Sequence, residues 1–308
     1  MLSSSDKIKV SFQALRVEEF IGFLFLAPTI SFAAFENLRI PGSWGLVRVG
    51  LIATATIYFY WQVLSKNETP VFRIIRDFAP FLLTIAIYMN IHDTIRILNP
   101  NDIHDRLVQW DQWLFGVQPV VWIENIYHPV LTEWMSFSYV SYYWITLVLV
   151  TWLYARERQS EFRVVMFTMM ISYYIGFICY VLFPAASPYI VIPEQFNQHV
   201  WSSGGFLSDL TRSIVSLSPE RPRDAFPSLH TGVTLLTMIM AWRYNRTLFW
   251  IFTPMAMSLP LATVYLRYHY AVDVLVGLVV PIMALYLAPR IEDMWLNFSK
   301  ADQKRAIQ

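Results

Sequence analysis

Eight apolar runs, each close to the length of a membrane-crossing helix, constrain this chain more than any single motif. A spanning helix needs about 20 mostly apolar residues. The runs cover roughly 19–36, 46–65, 72–96, 131–155, 162–184, 228–243, 247–266 and 269–288. Inside lipid every backbone N–H and C=O must be satisfied within its own segment, so runs of this length read as helices. Composition agrees: 56% of the 308 residues are hydrophobic and 15% are charged, where soluble domains average about a quarter charged. The first run is the weakest, being short and carrying Pro28. Glu36 follows it and no small-x-small cleavage site does, which favours an uncleaved helix over the apolar core of a signal peptide. The expected fold class is an all-α integral membrane protein with about eight transmembrane helices.

The loops set the expected orientation. Lys and Arg gather at Lys7, Lys9 and Arg16, at Lys66, Arg73 and Arg76, at Arg156, Arg158 and Arg163, at Arg243 and Arg246, and after Arg290. Connections poorer in both residues alternate with these clusters. With eight spans all five clusters fall on one side, so both termini are expected to be cytoplasmic. The sequons beginning at Asn67, Asn245 and Asn297 lie on that side and are expected to stay unmodified. The opposite face carries two long connections, about 97–130 and 185–227. The first mixes Trp, Phe and Ile with charges and reads as interfacial amphipathic helices with aromatic anchors. The second is rich in proline, and irregular backbone near membrane depth belongs where it lines a cavity or is buried in protein. A net charge of +1 gives no reason to expect a nucleic-acid partner. Cys179 is the only cysteine; it can form no internal disulfide, shows no metal-ligand spacing and reads as a buried thiol.

Two histidines stand at the outer starts of apolar runs. His230 lies in "RDAFPSLHTG" and His269 in "LRYHYAVDVLVG". Helix N-termini present free N–H groups and partial positive charge, which suits a phosphate. Pro227 fits the start of a helix, and Ser228 can cap it or donate its hydroxyl. Asp273 follows His269 by four residues, which on a helix puts both on one face. A carboxylate there can hold the imidazole in one tautomer and stabilise its charged form, making His269 a nucleophile or base and His230 a general acid. A structural His–Asp hydrogen bond and a proton relay in a transporter are the alternatives. Two His and one Asp are a weak metal signal. "MNIHDTIR" places His92, Asp93 and Arg96 at the end of the third run, as head-group contacts or as an interfacial ion pair. Tyr139, Tyr142 and Tyr143 mark an interface or a polar cavity lining. His104, His128 and His199 read as surface residues.

"FPSLHTG" and "LRYHYAVDVLVG", in this order, resemble the second and third signature motifs of the type 2 phosphatidic acid phosphatase (PAP2) superfamily. The Leu in PSLH, the "HYAVD" form, "SYVSYYW" and "YVLFPAASP" are similar to the branch that includes inositol phosphorylceramide synthases. The resemblance spans about Phe81 to Pro289 and implies a six-helix core preceded by two extra helices. It also implies that His269 attacks phosphorus, Asp273 orients it, His230 protonates the leaving group and Ser228 binds the phosphate, with no metal or other cofactor. Two departures stand out. The common third motif has Arg where this chain has Thr263, for which Arg267 is the expected substitute. The common first motif pairs a Lys with Arg-Pro; Arg221-Pro222 is present, but the Lys position is Ile214. Arg223, with Arg221 behind it, is the expected phosphate clamp. The expected organisation is an N-terminal segment with two extra helices over 1–70, a catalytic membrane domain over 71–289 and a cytoplasmic tail over 290–308. The expected activity is head-group phosphotransfer at the extracytoplasmic face, between a membrane lipid donor and an alcohol acceptor; the alternatives are a lipid or polyprenyl phosphate phosphatase and a proton-coupled transporter.

Overall fold

A computed structural model describes residues 16–39, 50, 69–197, 204–216 and 222–307. Among these the chain is helical and has no strand; Ala185 and Asp224 form an isolated parallel bridge. The helices are α1 (Val17–Arg39), α2 (Pro70–Leu98), α3 (His104–Phe115), α4 (Pro119–Trp122), α5 (Pro129–Ala155), α6 (Gln159–Leu182), α7 (Pro188–Val191), α8 (Phe206–Ser216), α9 (Leu229–Tyr244), α10 (Arg246–Tyr265), α11 (Ala271–Gly277) and α12 (Val279–Ile307).

Five helical segments among the described residues are long and apolar enough to cross a membrane: Pro70–His92, Pro129–Ala155, Gln159–Leu182, Arg246–Tyr265 and Ala271–Phe298. The eight expected spans are therefore recovered only in part. The second run, 46–65, lies outside the described residues apart from Gly50. The first forms α1, whose first turn carries Glu18 and Glu19. The sixth forms α9, which has only 16 residues; at 1.5 Å per residue that is about 24 Å, short of the hydrocarbon core. Its limits are set by capping. Ser228 accepts from Thr231 N at the start, and Asn245 both follows the last turn and caps α10 by accepting from Leu248 N (3.1 Å). The tail after Pro289 continues α12 as helix to Ile307.

The chain divides into two compact units, Met1–Ile97 with Tyr286–Gln308, and Leu98–Leu285. In the first, the buried Glu19 carboxylate accepts from Arg76 Nε (2.7 Å), and Arg16 pairs with Asp77 (2.7 Å). Ala79 packs there with Phe23, Phe72 and Trp295.

The second unit is built on contacts among α5, α6, α9 and α10. Buried hydroxyls meet inside it, Thr146 with Thr237 at 2.7 Å. Glycine sets the closest approaches. A Cβ on Gly277 would stand 2.5 Å from the carbonyl oxygen of Ser228, so α11 touches the start of α9 through bare backbone. A Cβ on Gly176 of α6 would stand 2.6 Å from the side chain of Leu229, so the motif leucine fills a groove that a glycine leaves open. Two amphipathic helices complete the unit. On α3, Leu107 and Asp111 are buried while Trp110, Trp113 and Phe115 are exposed. On α8, the N-terminal N–H groups of Leu207 and Ser208 donate to Glu133 of α5 (3.0 and 3.1 Å), as does that of Gly205 just before it (2.7 Å).

Candidate active site

The histidine pair lies wholly in the second unit. His230 is the second residue of α9. His269 stands in the link between α10 and α11, two residues before α11 begins, so His269 and Asp273 do not share one helix face as their spacing suggests. The cause is a tight turn: Arg267 N donates to Val264 O (3.0 Å), and Tyr268 N and His269 N both donate to Thr263 O (2.9 and 3.1 Å). The contact survives the change, with His269 Nδ1 lying 3.2 Å from Asp273 Oδ1 and 3.3 Å from Oδ2. Thr263, which stands where the common motif has Arg, thus supports His269 through its backbone.

The partners of His269 fix its tautomer. Nδ1 lies 3.0 Å from the carbonyl oxygen of Ala225, which can only accept, so Nδ1 carries the proton. Nε2 is then the nitrogen with a lone pair, and it lies 3.1 Å from His230 Nδ1. Burial opposes a charge on His269, but the Asp273 carboxylate outweighs it and raises the imidazole above its ordinary value. Asp273 and Ser228 are both fully buried. Ser228 N donates to Asp273 O (3.2 Å), tying the two motif segments together. Its hydroxyl oxygen accepts from Thr231 N (3.4 Å) and Thr231 Oγ1 (3.2 Å), which leaves its own proton to donate.

His230 is held by rings. Tyr139 stacks on it at 4.8 Å and 26°, and Tyr142 packs at 4.5 Å. Tyr268 leans on Tyr139 (4.9 Å), and the Tyr142 and Tyr173 hydroxyls are 3.0 Å apart. Tyr139 and Tyr142 therefore line the histidine, while Tyr143 is 45% exposed.

The expected arginines part company. Arg223 Nε donates to Asp102, and its Nη2 is buried with no partner among the described residues. Its loop is pinned to the "FPAAS" segment by Ala185 N donating to Arg223 O (3.4 Å) and Ala225 N donating to Ala185 O (3.0 Å). Arg267 is engaged with other partners. It adopts φ 65, and its buried guanidinium pairs with Glu124, donates to Asn197 O (3.3 Å) and covers the Phe196 ring (4.4 Å). The expectation that it substitutes for the missing Arg assumes a helix starting at His269; the turn removes that premise. Arg221 and His199 lie outside the described residues. His92, Asp93 and Arg96 sit on α2 in the first unit, where His92 packs edge-on to Tyr88 (6.0 Å). His128 caps α5, accepting from Val130 N.

The residue that the sequence reading misses is Asp111. It is fully buried on α3, and its oxygens accept from Ala271 N (3.0 Å) and Val272 N (2.8 Å). Burial lifts its carboxyl above the usual range, against the pull of those two N–H groups. The signal was available: Asp111 follows Leu107 by four residues, so it shares the face turned away from Trp110 and Trp113.

The family model of the PAP2 superfamily matches residues 105–287. A PA-phosphatase related-family protein of Dictyostelium discoideum is 28% identical over 172 residues, which is 50% of this chain and 31% of that protein. No solved structure matches. The family match takes in α3, the motif loop, both histidines and Asp273, and covers more than half of the chain, which therefore belongs to the PAP2 superfamily.

Proposed function

We propose that the chain is a membrane lipid head-group phosphotransferase that works through a phosphohistidine. The observation that carries this reading is the locked tautomer of His269, whose unprotonated Nε2 faces His230 at 3.1 Å. Phosphorus taken between the rings replaces that hydrogen bond. His269 Nε2 forms the P–N bond as the P–O bond to the leaving group breaks, and His230 delivers a proton to the departing oxygen. In the second step an acceptor hydroxyl gives its proton to His230 and attacks phosphorus, and the P–N bond breaks. Ser228 and Arg223 hold the equatorial oxygens; Arg267 belongs to the framework.

The charges support a phosphodiester donor. A monoester phosphate carries about −1.5 to −2 near neutrality, a diester −1. Ile214 and Thr263 stand where cations are common, Arg267 is paired with Glu124, and Arg223 is partly balanced by Asp102. Among the described residues that leaves little positive charge for a dianion. The second reading, a lipid phosphate phosphatase, is favoured by family membership and by the name of the Dictyostelium relative. In either reading the catalytic domain is assigned to 71–289, with the site at the extracytoplasmic face and both termini cytoplasmic.

The test uses the purified full chain in mixed micelles with two probes of equal tail length, phosphatidic acid and a phospholipid diester. Transfer from the diester to added glycerol or inositol, with little release in water alone, supports the transferase. Inorganic phosphate from phosphatidic acid without an acceptor supports the phosphatase. Orthovanadate should compete in both cases, because it adopts the trigonal-bipyramidal geometry of the transferring group; no inhibition at millimolar vanadate would remove the site assignment.

A further inference from the structure

We propose that Asp111 is a positioning residue for this chemistry, acting through the start of α11 on the His269–Asp273 pair; the inference rests on the functional reading above. A carboxylate turned from water toward protein is costly unless fully hydrogen-bonded. Asp111 is satisfied by the N–H groups of Ala271 and Val272, which lie 160 and 161 residues further along the chain. These are the first two residues of α11. A helix start leaves such donors without partners inside the helix, and the side chain before it ordinarily serves them. Here that residue is Tyr270, whose hydroxyl donates instead to Ala186 O (3.1 Å). Asp273, in the first turn, is the nearest local carboxylate. One of its oxygens accepts from Tyr270 N (3.0 Å), and both face His269 Nδ1.

Two carboxylates thus divide two tasks. Asp111 satisfies the helix start, and Asp273 is left to hold the imidazole. Removing Asp111 returns two helix-start donors to competition for Asp273 and draws that carboxylate away from His269. The arrangement also gives α3 a catalytic consequence, because the helix that exposes Trp110 and Trp113 on one side seats the catalytic turn with the other.

The experiment is Asp111→Asn in the full chain, assayed in mixed micelles with whichever of the two lipid probes is turned over. Asn keeps the size and one acceptor oxygen. We expect kcat to fall about 10- to 100-fold with KM nearly unchanged, the scale of a small misplacement of a reacting group. The charged and polar groups facing His269 are His230 on α9, Asp224 and the Ala225 carbonyl in the loop before it, and Asp273 on α11. Loss of the Asp273 contact lowers the His269 pKa, so the acid limb of the kcat/KM profile should move to lower pH. A purely structural role would reduce the folded amount and leave that limb in place. In an Asp273→Asn background, Asp111→Asn should cost less than about 3-fold more, since residues acting as a unit are not additive. Full additivity, or an unmoved acid limb, overturns the proposal. Asp111→Ala is the harsher variant; should it not fold, the Asn variant and the double-mutant cycle still decide. His269→Ala separates the two levels. If that variant keeps activity, the phosphohistidine reading falls and this proposal with it. If it is inert while Asp111→Asn is wild-type in kcat and pH profile, only the role of Asp111 falls.

Discussion

The two histidines are seated in opposite ways. His230 sits on a helix and is defined by packing: Leu229 locks the first turn against Gly176, and Tyr139 and Tyr142 enclose the ring. His269 sits on a turn and is defined by the hydrogen bonds it donates to Thr263, Ala225 and Asp273, with Asp111 behind them. Packing fixes a position but tolerates small slides, which suits a proton donor that meets different oxygens in two steps. Hydrogen bonds fix a direction and a tautomer, which suits the proposed role of His269, a nucleophile whose lone pair must point at phosphorus.

The comparison breaks most visibly at the rings themselves. His269→Ala should lose at least about 10⁵-fold in kcat, the scale of a missing nucleophile. His230→Ala should lose about 10²- to 10⁴-fold with an alcohol leaving group and recover most of it with a leaving group of low pKa, which needs no proton. Equal losses regardless of leaving group would remove the general-acid role of His230.

Next comes Asp273→Asn, with an expected loss of about 10²- to 10³-fold through lost electrostatic support of the charged imidazole, the tautomer still being held by the Ala225 carbonyl. As the proposed nucleophile, His269 must be neutral to attack, and the carboxylate raises its pKa. The wild-type kcat/KM should therefore fall as pH drops through a value above the ordinary 6.5, and the limb should move down in the Asn variant. An unmoved limb would separate Asp273 from the titration.

Gly277→Ala tests the junction between the two seats. Its methyl would meet the Ser228 carbonyl at 2.5 Å, so about 1–3 kcal/mol of stability should be lost, read as a lower thermal midpoint in detergent. The smallest effect is expected at the rings around His230. Tyr139→Leu should cost about 2- to 10-fold in kcat, the worth of an aromatic pair, while Tyr139→Phe should stay close to wild type. A large loss in Tyr139→Phe would mean that its hydroxyl, and not its ring, does the holding.

Much of this was legible in the sequence because it is local. Apolar run length gave the spanning helices of α5, α6 and α10, and the PSLH and HYAVD segments named both histidines, Asp273 and the capping Ser228. What stayed hidden was long-range. No local pattern shows that Thr263 supplies its carbonyl to His269, that Ala225 fixes the tautomer, or that Asp111 reaches α11 across 160 residues. Arg267 was misread because its spacing was measured along a helix that the chain does not form there. A positive φ at a non-glycine residue costs about 1–2 kcal/mol, and the ion pair with Glu124 helps to hold it. The sixth run, 228–243, matches α9 to within a residue at each end, and its 16 residues are bounded by caps at Ser228 and Asn245, which hydropathy does not see.

Leu229 and Gly176 carry one more consequence. Where a related chain places Gly inside the PSLH-type motif, the volume that Leu229 occupies must be supplied from the facing helix or left as a void. Positions 176 and 229 therefore form a two-site size constraint: exchanging either alone leaves a hole or a clash, and exchanging both conserves volume. In this chain the size of the motif leucine is then a matter of how two helices divide one space, set as much by Gly176 in α6 as by the motif.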